Sequence, residues 1–97
     1  MEDRELLELA AKAAGITSDS RTLEGGYWIP EGSELQRPWN ALTDDGDALR
    51  LLVSVPEVDL AWIVQSAWQA CDTPQERAAY VRRKAVEKVA EIGRMIP

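Results

Sequence analysis

The sequence predicts a small α+β protein, an α/β/α-type sandwich in which residues 1–97 form a single domain. Apolar residues follow helical spacing at both ends of the chain, and strand-forming residues occupy two places between those ends. The predicted order is helix, β-hairpin, helix, one or more short strands, and a long C-terminal helix. A chain of this size has room for one modest core.

The first element is a helix predicted from Asp3 to Ala14, with Asp3 as its N-cap. Its apolar residues recur at helical spacing, namely Leu6, Leu9, Ala10 and Ala13. Because this stripe is narrow and rich in alanine, we expect the helix to pack closely against a neighbour. Gly15 supplies the left-handed position at which many helices end.

A β-hairpin is predicted after a small, polar loop at residues 17–26. Residues 27–29 favour a strand, residues 30–33 form a turn signal, and residues 35–37 can return as the partner strand. Pro38 cannot donate a ladder hydrogen bond, so it marks the end or the edge of that strand.

Three aspartates, Asp44, Asp45 and Asp47, precede an apolar run. A calcium loop that starts at Asp45 would need glutamate as its twelfth residue, where this chain has Pro56. Thr43 or Asp44 can instead cap a helix, and acids in the first turn complement the helix dipole. The apolar face of this helix comprises Ala48, Leu49, Leu51, Leu52 and Val53. We therefore predict a capped helix and no metal.

Residues 57–72 fit two patterns. Strand alternation is carried by Val58, Leu60, Trp62 and Val64. Helical spacing is carried by Leu60, Val64, Ala67 and Cys71. The strand is favoured because Trp62, Ile63 and Val64 prefer β-structure, with a last short strand at residues 67–70.

The C-terminal helix has the clearest start signal, since Thr73, Pro74 and Glu76 match an N-cap, a first helical position and a capping box. Its apolar stripe comprises Ala78, Val81, Ala85, Val89, Ile92 and Ile96. We interpret the stripe as core. Tyr80 lies roughly opposite it, and is either covered by another element or exposed for a partner.

The charge is unevenly distributed. The chain carries −6 overall, yet the C-terminal helix has six cations and three acids, which leaves −9 for residues 1–75. Opposite signs interleave at helical spacing, as in Arg83 and Glu87, which is typical of a solvated face. An acidic chain of this kind argues against direct nucleic-acid binding.

Catalytic and metal-binding residues are scarce. The chain has no histidine and a lone Cys71, which we expect to be a small, buried or half-buried apolar residue. The sequence therefore predicts no enzyme and no cofactor. It shows neither a secretory leader nor a membrane-spanning run, so a cytoplasmic protein with no membrane partner is expected.

One shared core is predicted from the helical stripes. Its members are Leu6, Leu9, Leu49, Leu52, Val81, Ala85, Val89 and Ile92. Trp39 and Trp62 have apolar neighbours in the sequence and are expected to join the core, whereas Trp28 and Trp68 are expected at the surface.

Three segments carry a family resemblance: RELLELAAKAAGI at residues 4–16, a tryptophan before LTDDGDALRL at residues 42–51, and AEIGRMIP at residues 90–97. Together they resemble the phage ABA-sandwich domain family, small proteins of bacteriophages and prophages. The resemblance implies an α/β sandwich and supplies no catalytic residues. Residues 54–72 depart from the family pattern.

The function expected on these grounds is binding. The resemblance and the charge suggest an anti-CRISPR-like inhibitor of a host defence complex, acting in the bacterial host cell on a protein or ribonucleoprotein with a basic surface. The alternative is a phage accessory or structural protein without such a target. A monomer or weak homodimer is expected. The candidate contact residues are Trp28, Glu31, Glu34, Asp59, Trp68, Asp72 and Tyr80.

Overall fold

The computed structural model describes residues 2–15, 18–22, 28–30 and 39–96, the two short middle ranges by their backbone alone. These residues form four helices and one pair of short strands. The helices are α1 (Asp3–Ala14), α2 (Asp45–Ser54), α3 (Leu60–Ala70) and α4 (Pro74–Met95), and the strands are β1 (Ser18–Thr22) and β2 (Trp28–Pro30).

The predicted α/β/α sandwich with a β-hairpin layer is wrong, because the core consists of helices packed on helices. In residues 2–15 and 39–96, every buried apolar side chain lies in a helix or in the short segments that flank α2. β1 pairs with β2 as a short antiparallel ladder, although β1 falls in the stretch predicted as a loop. The strand predicted at residues 35–37 lies outside the described residues.

The prediction of strands in residues 57–72 is also wrong, since most of this segment is the helix α3. The Asp59 carboxylate caps it by accepting a hydrogen bond from the backbone N–H of Trp62 at 3.1 Å. Ile63 and Ala67, one turn apart, are the buried pair. Helical rather than strand periodicity therefore decides which side chains face the core.

The ends of the other helices follow local sequence signals. α1 spans the predicted residues and ends at Gly15 with φ 72°, as expected. Its N-cap is Glu2 and not Asp3, whose carboxylate instead pairs with the Arg83 guanidinium at 2.6 Å. α4 starts as predicted, because the Thr73 hydroxyl accepts from the backbone N–H of Glu76 at 3.1 Å.

Helix α4 is the central element, because each of the other three helices packs against it. Its closest approach is to α1 at Gly93, where an added Cβ would overlap the backbone carbonyl of Leu9. Ala10 and Ala11 of α1 have no exposed surface. The close packing predicted for α1 is therefore confirmed. By contrast, α2 and α3 make little contact with each other.

The buried side chains form two clusters among the described residues. The larger joins α1, α2 and α4 around Leu51, Val86 and Val89. The smaller joins one residue from each of α2, α3 and α4, namely Leu52, Ile63 and Ala85.

The predicted core set is correct for its buried members Leu6, Leu52, Ala85 and Val89. Leu9, Val81 and Ile92 are partly buried against these clusters. Leu49 was assigned wrongly and is 56% exposed.

Candidate functional site

An apolar groove of about 400 Å³ lies between α2 and α3. It exists because both helices pack on α4 while making little contact with each other. Ala78 and Val81 of α4 line its floor, and the apolar wall residues are Leu49 and Leu52 from α2 and Leu60, Val64 and Trp68 from α3.

Helix α3 has apolar side chains on two faces. Ile63 and Ala67 are buried, whereas Leu60, Val64 and Trp68 recur at four-residue spacing on the groove side and remain exposed. Trp68 is 64% exposed. Grouped apolar side chains of this kind on a protein surface mark interaction sites.

Two arginines from α4 line the groove, and they differ in their partners. Arg82 is held on both sides, because its Nη1 lies 2.6 Å from the Asp45 carboxylate and its Nε donates to the carbonyl oxygen of Leu42 at 3.0 Å. Arg77 instead lies over the indole of Trp68, with its guanidinium carbon 3.8 Å from the ring centroid. These contacts place a cation beside the exposed tryptophan.

Two of the three aspartates at the start of α2 brace the turn that precedes it. Asp44, one of the two predicted candidates, is the N-cap, and its carboxylate accepts a hydrogen bond from the backbone N–H of Asp47 at 2.8 Å. The buried carboxylate of Asp47 accepts from the backbone N–H of Asn40 at 3.0 Å and from Arg50 Nη2 at 2.8 Å. Within the described residues, no group of three acidic or cysteine side chains is arranged to hold a metal ion.

Of the predicted contact residues in the described part of the chain, Trp68 and Asp72 both contact the side chain of Arg77. Asp59 caps the start of α3, whereas Trp68 lies nine residues further on, about 14 Å along the helix axis. Asp72 is exposed beyond the end of α3, and Tyr80 is half-buried with the ammonium of Lys84 5.8 Å from its ring centroid. Glu31, Glu34 and the side chain of Trp28 lie outside the described residues.

The assignment of Trp62 to the core is wrong, whereas the assignments of Trp39 to the core and Trp68 to the surface are confirmed. Trp62 is 49% exposed, and the ammonium of Lys88 lies 5.5 Å from its ring centroid. Cys71 is half-buried, as expected.

Sequence analysis missed Leu49, Val64 and Arg77 as groove residues. The sequence did contain one signal for the groove. If residues 60–71 are read as a helix, that helix has more apolar residues than one buried face requires, which indicates a second apolar face.

Comparisons with models of known protein families, with curated proteins and with solved structures give no match to this chain. The resemblance to the phage family therefore stays a prediction, and the sandwich fold that it implied is the part that the helical core contradicts. Among the described residues, no helix combines the length and apolarity needed to cross a bilayer.

Proposed function

We propose that this protein is a non-enzymatic binding protein that holds an amphipathic helix of a partner in the groove between α2 and α3. The observation that carries the proposal is the exposed apolar lining of that groove. Helices that bind in grooves insert side chains spaced three and four residues apart into an apolar channel between other helices.

A helix suits the groove better than a small apolar molecule does. The apolar residues of α3 extend from Leu60 to Trp68, about 12 Å or two helical turns. Leu49 and Trp68 at the rim are more than half exposed, so much of their surface would stay in water around a small ligand. A partner helix would cover the floor and the rim together.

A basic host complex, the partner expected from the sequence, requires a different surface, with acids close to the aromatic anchors. Asp59 is about 14 Å along α3 from Trp68, and the charged side chain against Trp68 is the cation Arg77, which also contacts the backbone of Asp72, so the groove is the better-supported contact surface. Inhibition of a host defence complex in the bacterial cytoplasm remains a prediction for the partner's identity. Trp68 is the one contact residue that both hypotheses share.

The proposal can be tested with a display library of helical peptides that carry apolar residues at positions i, i+3, i+4 and i+7. Peptides selected on the wild-type protein are then measured against Val64→Glu and Val53→Glu. We expect Val64→Glu to weaken binding at least tenfold, because it places a charge in the groove wall, roughly the effect of losing a hot spot. Val53 is a matched control, since it is exposed but does not line the groove.

Trp68→Ala provides a second measurement. The side chain is largely exposed, so we expect the melting temperature to change little while the selected peptides lose at least about tenfold in affinity. If the library yields no binder, or if Val64→Glu and Val53→Glu weaken binding equally, the groove is not the binding site.

A further inference from the structure

We infer that the partner helix carries a carboxylate that binds Arg77 at the Trp68 side of the groove. This inference rests on the proposed function and specifies the chemistry of the ligand. An apolar groove selects only for hydrophobic side chains, whereas a guanidinium beside it adds a requirement for a planar anion.

The hydrogen bonds of Arg77 leave donor groups without acceptors. Its Nη2 donates to the backbone carbonyl of Asp72 at 3.1 Å, while its Nε is buried without an acceptor among the described residues. Its Nη1 makes no hydrogen bond in the described part of the chain, and the guanidinium is otherwise held by its contact with the Trp68 ring. Because Nε has no exposed surface, a partner's carboxylate would meet Nη1 and Nη2, the outer donor fork of the guanidinium, with its two oxygens.

Arg82 is a contrasting case, because its guanidinium finds hydrogen-bond acceptors within the chain. Its guanidinium meets the Asp45 carboxylate and a backbone carbonyl within the chain. No carboxylate of the described residues pairs with Arg77, although the chain has seventeen acids and only eleven basic residues. The acid that complements Arg77 is therefore assigned to the partner.

The same display library tests this inference, with the sequences that it yields on wild-type protein as probes. We expect these peptides to share an aspartate or glutamate at one position next to the apolar stripe. Arg77→Gln should weaken their binding about tenfold to a hundredfold, the effect of losing a charge-assisted hydrogen bond. Replacing the acidic residue of the peptide by its amide should weaken binding to the wild type by a similar factor. The same replacement should change the affinity for the Arg77→Gln variant little.

Two variants control for charge and geometry. Arg4→Gln removes the same charge from α1, away from the groove, and should leave binding within about twofold of the wild type. Arg77→Lys keeps the charge and loses the planar donor fork, so its affinity should fall between those of the wild type and Arg77→Gln. Melting curves of each variant check that the fold is intact.

The possible failures can be told apart. One outcome would contradict the carboxylate inference and leave the groove proposal intact. In that outcome the peptides bind Val64→Glu more weakly than the wild type, share no acidic residue, and bind Arg77→Gln and Arg4→Gln with equal affinity. Peptides indifferent to Val64→Glu would overturn both. A wild-type dimer that Val64→Glu dissociates, measured by light scattering, would assign the groove to a second copy of the chain and would also overturn the inference.

Discussion

Asp47 is an acidic residue, yet its exposed fraction is 1%. Its carboxylate joins the turn before α2 to the helix itself, because it accepts hydrogen bonds from the backbone of Asn40 and from the side chain of Arg50. A carboxylate can be buried when donors of this kind replace the water that it loses. The residue is thus a structural brace as well as part of the first helical turn.

We expect Asp47→Ala to lower the free energy of unfolding by about 2 to 3 kcal/mol, because it leaves a backbone donor without its charged acceptor. Asp44→Ala removes the N-cap and should cost about 1 kcal/mol. Urea denaturation measures both. If calcium, magnesium or manganese raised the wild-type melting temperature substantially, the aspartates would be metal ligands and this explanation would be wrong.

Two tryptophans show that the burial of a side chain cannot be predicted from its sequence neighbours alone. Trp39 and Trp62 both have apolar neighbours in the sequence, yet the first is buried and the second half exposed. Trp39 belongs to the larger buried cluster, whereas Trp62 lies outside the buried face of α3, which Ile63 and Ala67 form. Neighbouring residues alone do not determine this difference.

At the scale of elements, α3 shows why one segment was predicted wrongly. A strand places Leu60, Trp62 and Val64 on one face, whereas a helix separates Trp62 from the other two. The same residues fit both patterns, and their β-preferring side chains favoured the strand. The Asp59 cap and the burial of Ile63 and Ala67 against α4 outweigh that preference.

The contact between α1 and α4 predicts that replacing two helical glycines by alanine has unequal effects on stability. Gly93→Ala should lower the free energy of unfolding by more than about 2 kcal/mol, because the new methyl group meets the backbone of Leu9, which cannot move without shifting α1. Gly46→Ala in α2 meets only the side-chain ends of Arg50 and Asp44. Its effect should stay within about 1 kcal/mol, since alanine also favours the helix. Equal effects in thermal denaturation would contradict this account of the helix contact.

At the scale of the whole molecule, the two buried clusters predict an order among three leucines of α2. Leu51→Ala should cost about 3 to 5 kcal/mol, because Leu51 is fully buried in the larger cluster. Leu52→Ala should cost about 2 to 3 kcal/mol, since this side chain also lines the open groove. Leu49→Ala should cost less than about 1 kcal/mol. A larger loss for Leu49 than for Leu51 would show that α2 faces the core differently.

The sequence predicts the parts of this fold that depend on neighbouring residues. The Thr73 cap and the left-handed Gly15 are local and were predicted correctly, and Asp44 was one of two residues predicted to cap α2. The groove depends on α2 and α3 packing on the same helix while remaining apart, which no single segment specifies. Arg77 illustrates this, because its contact with Trp68 appears only when the end of α3 and the start of α4 are placed together.

The central position of α4 also bears on how the chain folds during synthesis. A ribosome completes α1, α2 and α3 before it reaches residue 74, and these helices pack mainly on the helix that has not yet been made. Short helices are marginally stable in water without tertiary contacts. We therefore expect the apolar faces of these three helices to stay open to chaperones until α4 emerges from the exit tunnel, and then to be buried together.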